Sequence, residues 1–307
     1  MNSRDRIKKT LSFEVPDTLG IADDFTEVTI KKWRDRGKLP KDVKAEEYFG
    51  FDIRLFGFNQ DFDPASKNKI TTERFARPST GEALADTYME AESGERFLAL
   101  SCVEPFEHIS SIFGREKVLT MMAEDAGKAA DMFAKSAEFT LKLCQLVLDK
   151  GYKFDGAWLW GDMGCKAGLI FSTDYYNAFL FDLHKEFCDF FAKKNLPVIF
   201  HSDGNIGELI PRLIKAGVRA LEPLESDVDM DLFRLKTEYG RDLVLFGGID
   251  EKAFISADNV ENEIKTKLNG LMKGGGYIYH ADSPITEDIS FENYNQALGF
   301  VKKYGAY

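Results

Sequence analysis

The sequence has no apolar run approaching the roughly 20 residues that a bilayer-crossing helix requires. No membrane-spanning segment is therefore expected. It has no CxxC pair: Cys102, Cys144, Cys165 and Cys188 stand far apart. The amino terminus, Met1-Asn-Ser-Arg-Asp-Arg-Ile-Lys-Lys, is charged and has no apolar core behind it, unlike a signal peptide. A cytoplasmic location follows as the expectation, and there the four cysteines read as buried thiols rather than disulfides. Positive charge is scarce. With 40 Lys and Arg against 51 Asp and Glu, the formal net charge is −11, which argues against nucleic acid or an anionic membrane as partner, since both need clustered cations. No Gly-x-Gly-x-x-Gly occurs, and Gly274-Gly275-Gly276 precedes an apolar run instead of following one; the dinucleotide-binding loop of an open sheet is thereby excluded. No Pro-, Ser- or Gly-rich linker marks a boundary, so a single domain over residues 1–307 is expected.

What is present is the balance of a globular protein, with 44% hydrophobic and 30% charged residues. The 26 phenylalanines are many for this length; most must be core, and some could line an aromatic pocket. Residues 1–95 read as a helical or irregular extension packed on the rest. Asp24–Trp33 is its best helix, and the aromatic, Gly-punctuated stretch from Phe49 to Pro64 suggests a strand and a loop. From residue 96 short apolar runs alternate with long amphipathic stretches. The runs are Phe97–Cys102, Gly156–Trp160, Pro197–Phe200, Ala220–Leu224, Leu243–Phe246 and Tyr277–Tyr279. Each is too short for a helix and lacks polar alternation, as expected of parallel strands covered on both faces. Between them, Ser172-Thr173-Asp174 caps a helix with Tyr176, Leu180, Leu183, Phe187 and Phe191 at steps of three or four. Further helices run from about Ile206 to Ala216, stopping at Gly217, and from Asp229 to Tyr239, stopping at Gly240. Repeated strand–helix units mean a parallel sheet. Without a dinucleotide loop the closed (β/α)8 TIM-type barrel is the expected fold.

In such sheets active sites lie at the carboxyl ends of the strands. The residues just past the runs are Glu104 and His108, then Gly161-Asp162-Met163-Gly164, His201-Ser202-Asp203-Gly204, Glu225 with Glu222 inside its run, Gly247-Gly248-Ile249-Asp250, and His280-Ala281-Asp282. Scattered charges would not favour one end of every strand, whereas a shared pocket would. An Asp after a strand often merely caps the next helix, and that accounts for Asp250 as well as a functional role does. It accounts poorly for His201 and His280. His108 is expected to open a helix as a cap, and His184, mid-helix, to lie on the surface.

Pro105-Phe-Glu-His with Phe113-Gly114, Gly161-Asp-Met-Gly-Cys-Lys-Ala-Gly-Leu-Ile-Phe-Ser172, His201-Ser-Asp-Gly-Asn205, Asp231–Gly240, Gly247-Gly-Ile-Asp250 and Gly276-Tyr-Ile-Tyr-His-Ala-Asp282 together resemble the uroporphyrinogen decarboxylase-like superfamily. The nearest branch is that of the cobalamin-dependent methyltransferases, of the O-demethylase type. The resemblance implies a (β/α)8 barrel, a zinc ion, and cobalamin supplied by a partner corrinoid protein. The Arg-Gln-Ala-Gly-Arg stretch with which the decarboxylases grip tetrapyrrole carboxylates is missing. The thiol-activating methyltransferases carry His-x-Cys-Gly where this chain has Asp203, and no cysteine follows Cys188.

The resemblance therefore implies transfer of a methyl group from a small O-methyl (or N-methyl) donor, for instance a methoxylated aromatic, to a corrinoid protein. Asp162, His201 and Asp203 would be the catalytic residues. His201, Glu222, Glu225 and His280 would be metal ligands, with Asp203 a further donor at hand. Trp158, Trp160, Met163 and Tyr279 would pack on the methyl donor, and a homodimer is a candidate assembly. Two other readings stand beside it: metal-free decarboxylation, with Asp162 stabilising a protonated intermediate, and non-catalytic binding of a corrinoid or tetrapyrrole.

Overall fold

The computed structural model describes residues 1–57 and 95–307. The loop expected up to Pro64 lies outside the described residues beyond Gly57. In chain order the strands are β1 (Gly20–Ile21), β2 (Ile53–Gly57), β3 (Phe97–Val103), β4 (Gly156–Trp160), β5 (Gly164–Cys165), β6 (Gly168–Leu169), β7 (Val198–His201), β8 (Ala220–Leu224), β9 (Val244–Gly247) and β10 (Tyr277–Tyr279). The six expected runs reappear as β3, β4, β7, β8, β9 and β10 with ends moved by at most one residue. That shift makes His201 the last residue of β7 rather than the first beyond it. The chain divides into two compact units, one of residues 1–54 and 220–307, the other of residues 55–219.

In the unit of residues 55–219, β3, β4 and β7 are parallel, with β4 between the other two. Ala157 is in register with Val198, and Trp160 with His201. Side chains alternate along a strand, so Trp158, Trp160, Ile199 and His201 share one face and Ala157, Leu159, Val198 and Phe200 the other. Helix Ala126–Asp149 turns Ala129, Met132, Ser136, Phe139, Leu143 and Val147 inward at steps of three or four, and Asp125 caps it by accepting from the Lys128 amide. Each large apolar side chain among them stabilises by about 1.5–3 kcal/mol on full burial. The helix expected from Ser172 is two helices, Thr173–Phe179 and Phe181–Ala192, broken at Leu180, whose φ of −122° leaves helical geometry. Leu183 is only half-buried, and His184 faces inward on the stripe of Tyr176, Leu180, Phe187 and Phe191. The helix expected from Ile206 begins as a 3₁₀ turn, Gly207–Leu209, and continues as Ile210–Ala216 to a left-handed Gly217. Cys102, Cys144 and Cys188 are buried as expected, but Cys165 is exposed on the β5–β6 hairpin.

The other unit holds β1, β10, β9 and β8, all parallel and adjacent in that order. Gly20 is in register with Ile278 and Ile21 with Tyr279, so the amino-terminal extension supplies a strand of the sheet itself. Its helix Glu27–Asp35, capped by Thr26, matches the expected segment. Trp33 is buried beside Phe25, Phe49, Phe291 and Tyr294, with ring centroids 5.3–5.9 Å apart. Helix Leu232–Tyr239 starts three residues later than expected because Asp231 is its cap, accepting from the Phe233 and Arg234 amides. No described helix is long and apolar enough to cross a membrane.

Candidate functional site

The strongest cluster of reactive groups lies where β4 and β7 end. His201 closes β7, Asp162 follows β4 by two residues and Asp203 follows β7 by two. His201 Nε2 is 3.9 Å from Asp162 Oδ1 and 3.7 Å from Asp203 Oδ1. The Asp203 amide donates to Asp162 Oδ1 at 3.1 Å. The two loops are joined further by the Gly161 amide donating to the His201 carbonyl and by the Met163 amide donating to Ser202 Oγ, both at 3.0 Å. Among the described residues this is the one group of three such side chains whose candidate ligand atoms lie within 4.8 Å of one another. His201 and Asp162 are partly covered and Asp203 is open to solvent. The β5–β6 hairpin lies against the turn. A Cβ on Gly204, where φ is +80°, would stand 2.5 Å from the Cys165 amide nitrogen.

The four residues expected to pack on a donor divide. The Trp158 indole is inclined at 29° to the His201 ring with centroids 6.3 Å apart, and Trp160, on the same face, is 36% exposed. Met163 and Tyr279 are fully buried. Beside Asp162 stands Arg115, 3.9 Å from its Oδ2 and 2.8 Å from Glu107 Oε2. Burial pushes the Glu107 carboxyl above its ordinary value even though Arg115 pulls it down.

Two sequence readings in this unit need correction. Glu104, not His108, caps helix Pro105–Phe113, accepting from the Phe106 amide at 2.9 Å and from the Glu107 amide. His108 is buried inside that helix, its Nδ1 2.8 Å from Ser136 Oγ. His184 is not on the surface but fully buried, with Nε2 3.3 Å from Glu104 Oε2 and Nδ1 3.0 Å from the Tyr176 hydroxyl. A helical histidine beside a leucine gives no sign of which of the two points inward, since either continues the stripe of Tyr176, Leu180, Phe187 and Phe191 at steps of three or four.

In the unit of residues 1–54 and 220–307, His280 follows β10 and lies between two buried carboxylates. Its Nε2 is 3.5 Å from Glu222 Oε1 and its Nδ1 is 3.8 Å from Asp23 Oδ1, with the Ala281 carbonyl also against Nδ1. Burial works against the charged ring, but Glu222 and Asp23 outweigh it and His280 ends above its ordinary value. Asp23 was not anticipated from the sequence. It accepts from the Ala281 amide at 3.0 Å and the Tyr294 hydroxyl at 2.8 Å, and burial raises its carboxyl. Glu225 is half-buried just past β8. Asp282 accepts from the Ser226 amide and hydroxyl and from the Glu251 amide, which ties three loops together. Asp250 accepts from the Lys252 amide and so acts as a cap.

One imidazole and two carboxylates suit a divalent cation such as zinc. Nitrogen and oxygen ligands at about 2.0–2.2 Å from a tetrahedral zinc stand ~3.4 Å apart. The two separations from His201, 3.7 and 3.9 Å, are a few tenths of an ångström wider, and all three ligand atoms lie within 4.8 Å of one another. Three protein ligands would leave one position for a substrate atom.

The sequence pattern of the uroporphyrinogen decarboxylase (URO-D) family matches residues 77–304. No curated protein matches the sequence. Among solved structures, a methyltransferase from Methanosarcina mazei superposes with a TM-score of 0.75 at 12% identity, covering 99% of each chain. Dispersin B follows at 0.46 and 13% identity, covering 94% of this chain and 99% of its own. The 7,8-dihydropteroate synthase from Vibrio fischeri ES114 follows at 0.35 and 13% identity, covering 95% and 92%. The last two are too dissimilar in shape to bear on the argument. The first gives the fold, the expected (β/α)8 TIM-type barrel, and the family match spans well over half the sequence: this chain belongs to the uroporphyrinogen decarboxylase family.

Proposed function

We propose that this protein is a corrinoid-dependent methyltransferase that takes a methyl group from an O-methyl or N-methyl donor, with zinc held by Asp162, His201 and Asp203. The observation that carries the reading is the charge and chemistry of that triad. Asp162 and Asp203 bring two carboxylates to one imidazole, and among the described residues Arg115 stands beside Asp162 while paired with Glu107. A decarboxylase acting on a polycarboxylate ring needs the opposite, a cleft of cations. This site favours a metal cation. Of the residues expected to hold metal, His201 groups with Asp162 and Asp203, and His280 pairs with Glu222 in the other unit. The triad is the better candidate because its three ligand atoms converge within 4.8 Å, whereas Glu222 and Asp23 flank opposite nitrogens of His280.

Zinc bound there would supply Lewis acidity to the oxygen that leaves when the methyl group departs. The chain's own residues do the rest. Trp158 flanks the imidazole of His201 on the same face of the sheet. The Asp203 amide fixes one Asp162 oxygen and so aims the carboxylate. Trp160 offers an open aromatic face on the same side of the sheet for a donor ring. Arg115 beside Asp162 tempers the negative charge of the pocket. A corrinoid carried by a separate protein would be the methyl acceptor, which requires this end of β4 and β7 to stay accessible.

Metal analysis of the purified protein should find close to one zinc per chain, and His201→Ala should lose it. Methyl transfer from a panel of methoxylated and N-methylated donors to a reduced corrinoid protein, followed by absorbance, tests the reaction. Native protein without metal, or release of CO2 from a carboxylated substrate with no need for cobalamin, would sink the proposal.

A further inference from the structure

Beneath the triad runs a chain of buried polar groups for which the proposed reaction has no direct use. Glu104, His184 and Tyr176 are all fully buried. One protonation pattern satisfies every member: the Tyr176 hydroxyl donates to His184 Nδ1, and His184 Nε2–H donates to Glu104 Oε2. Glu104 then remains a carboxylate with three donors on it, counting the Phe106 and Glu107 amides. A helix cap alone needs neither a buried histidine nor a buried tyrosine behind it, because exposed Ser, Thr or Asp serve as well.

The position of that carboxylate is informative. The Glu104 amide donates to the Trp160 carbonyl at 2.9 Å. Its side chain lies directly against Gly161, so that a Cβ there would stand 2.5 Å from Oε1 and 2.7 Å from Cδ. Glu104 thus presses on the peptide that leads into Asp162. It reaches Asp162 by a second route as well, since it holds the Glu107 amide, Glu107 holds Arg115, and Arg115 stands beside Asp162 Oδ2. We infer that Glu104, locked by His184 and Tyr176, is a positioning residue that sets the Asp162 carboxylate beside His201 and Asp203. The inference rests on the reading of those three residues as the working site.

The test uses the whole protein and two readouts. The first is amide hydrogen exchange at Asp203, whose N–H is bonded to Asp162 and reports where that carboxylate sits without any metal. In Glu104→Gln it should exchange at least about tenfold faster than in the wild type, a loss of ~1.4 kcal/mol of protection. Ser136→Ala, which disturbs the equally buried His108–Ser136 pair, should leave Asp203 exchange within about twofold at a comparable loss of melting temperature. The second readout is zinc affinity by chelator competition, expected to fall about 10–100-fold in Glu104→Gln. If Glu104→Gln does not fold, Gly161→Ala pushes on the same contact from the other side and should show both effects. Asp203 exchange no faster than in Ser136→Ala, or zinc affinity unchanged from a zinc-binding wild type, would overturn the inference and leave Glu104 a plain helix cap. A wild type that binds no zinc would instead sink the proposed function, while the exchange measurement would still judge the positioning role.

Discussion

Gly204→Ala is the substitution whose cost the structure lets one work out most fully. Gly204 follows Asp203 with φ +80°, and a Cβ there would stand 2.5 Å from Cys165 N, 2.5 Å from Gly164 C and 2.7 Å from Cys165 Cα. The left-handed backbone alone costs an alanine about 1–2 kcal/mol. The clash is with backbone of the β5–β6 hairpin, which cannot swing aside as a side-chain end would, and overpacking of that kind adds about 1–3 kcal/mol. Together they amount to roughly 2–5 kcal/mol. At ~2 °C per kcal/mol for a chain of this size, the melting temperature should fall by roughly 4–10 °C. Gly274→Ala separates the two contributions, because Gly274 has a similar φ of +76° with nothing within 4 Å of its Cβ position; it should lose only about 2–4 °C. The assay is thermal unfolding of both variants by circular dichroism, with zinc affinity measured alongside. Gly204→Ala should also weaken zinc, since the displaced hairpin carries Met163 and the Asp162 loop with it, and Gly274→Ala should not. Equal shifts for the two variants would refute the packing of the hairpin on the His201–Gly204 turn.

Three further outcomes follow from single contacts. Asp203→Cys places a thiolate beside His201 and should tighten zinc by about tenfold while weakening magnesium and manganese; competition titrations that show no change in zinc would count against Asp203 as a ligand. Lys236 donates to the Gly275 and Gly276 carbonyls, with burial lowering its amine to about 8 from 10.5. Between those two pH values the unfolded chain holds the proton that the folded one has lost, so stability should rise with pH across that window. Denaturant titrations of the wild type against Lys236→Met should show the rise only in the wild type, and a difference that stays flat from pH 8 to 10.5 would refute it. Gly299 lies in the exposed middle of helix Phe291–Tyr304 with nothing near its Cβ position; Gly299→Ala should stabilise by about 0.5–1 kcal/mol in a chemical melt.

The strands were legible because they are covered on both faces, so that Pro197–Phe200 reads as an uninterrupted apolar run with His201 at its end. That end is also where a barrel gathers its chemistry, which is why Asp162, His201 and Asp203 stood out together. The misreadings have a common physical origin. Capping is decided by backbone geometry within a residue or two, and Glu104, one position before a proline, filled the role expected of His108. His184 and Leu183 are neighbours that both continue one helical stripe, and it is the histidine that meets buried partners, Glu104 and Tyr176. Asp23 could not be placed because β1 is two residues long, too short to leave a pattern, and its pairing with β10 joins positions more than 250 residues apart.

The two motifs that form the site are each written with a glycine, Gly161-Asp162 and Asp203-Gly204, and the structure gives the two glycines different work. Gly204 is needed for its backbone: φ is positive and the neighbouring hairpin backbone fills the space where a side chain would go. Gly161 has no such φ. It is needed because a buried carboxylate occupies that space, and a buried carboxylate held by three donors cannot retreat without leaving a charge unpaired in a dry interior. A sequence shows both as glycine beside aspartate and cannot say which group approaches. The consequence is that the same substitution, glycine to alanine, should act through different partners at the two positions. Shortening Glu104 to alanine should relieve Gly161→Ala, because the clashing atoms are gone, and should do nothing for Gly204→Ala. A double-mutant cycle on melting temperature and Asp203 amide exchange that gives a coupling of at least ~1 kcal/mol for Glu104 with Gly161 and none for Glu104 with Gly204 would bear this out. Additivity at both would mean that the contact beneath Asp162 is not what constrains it.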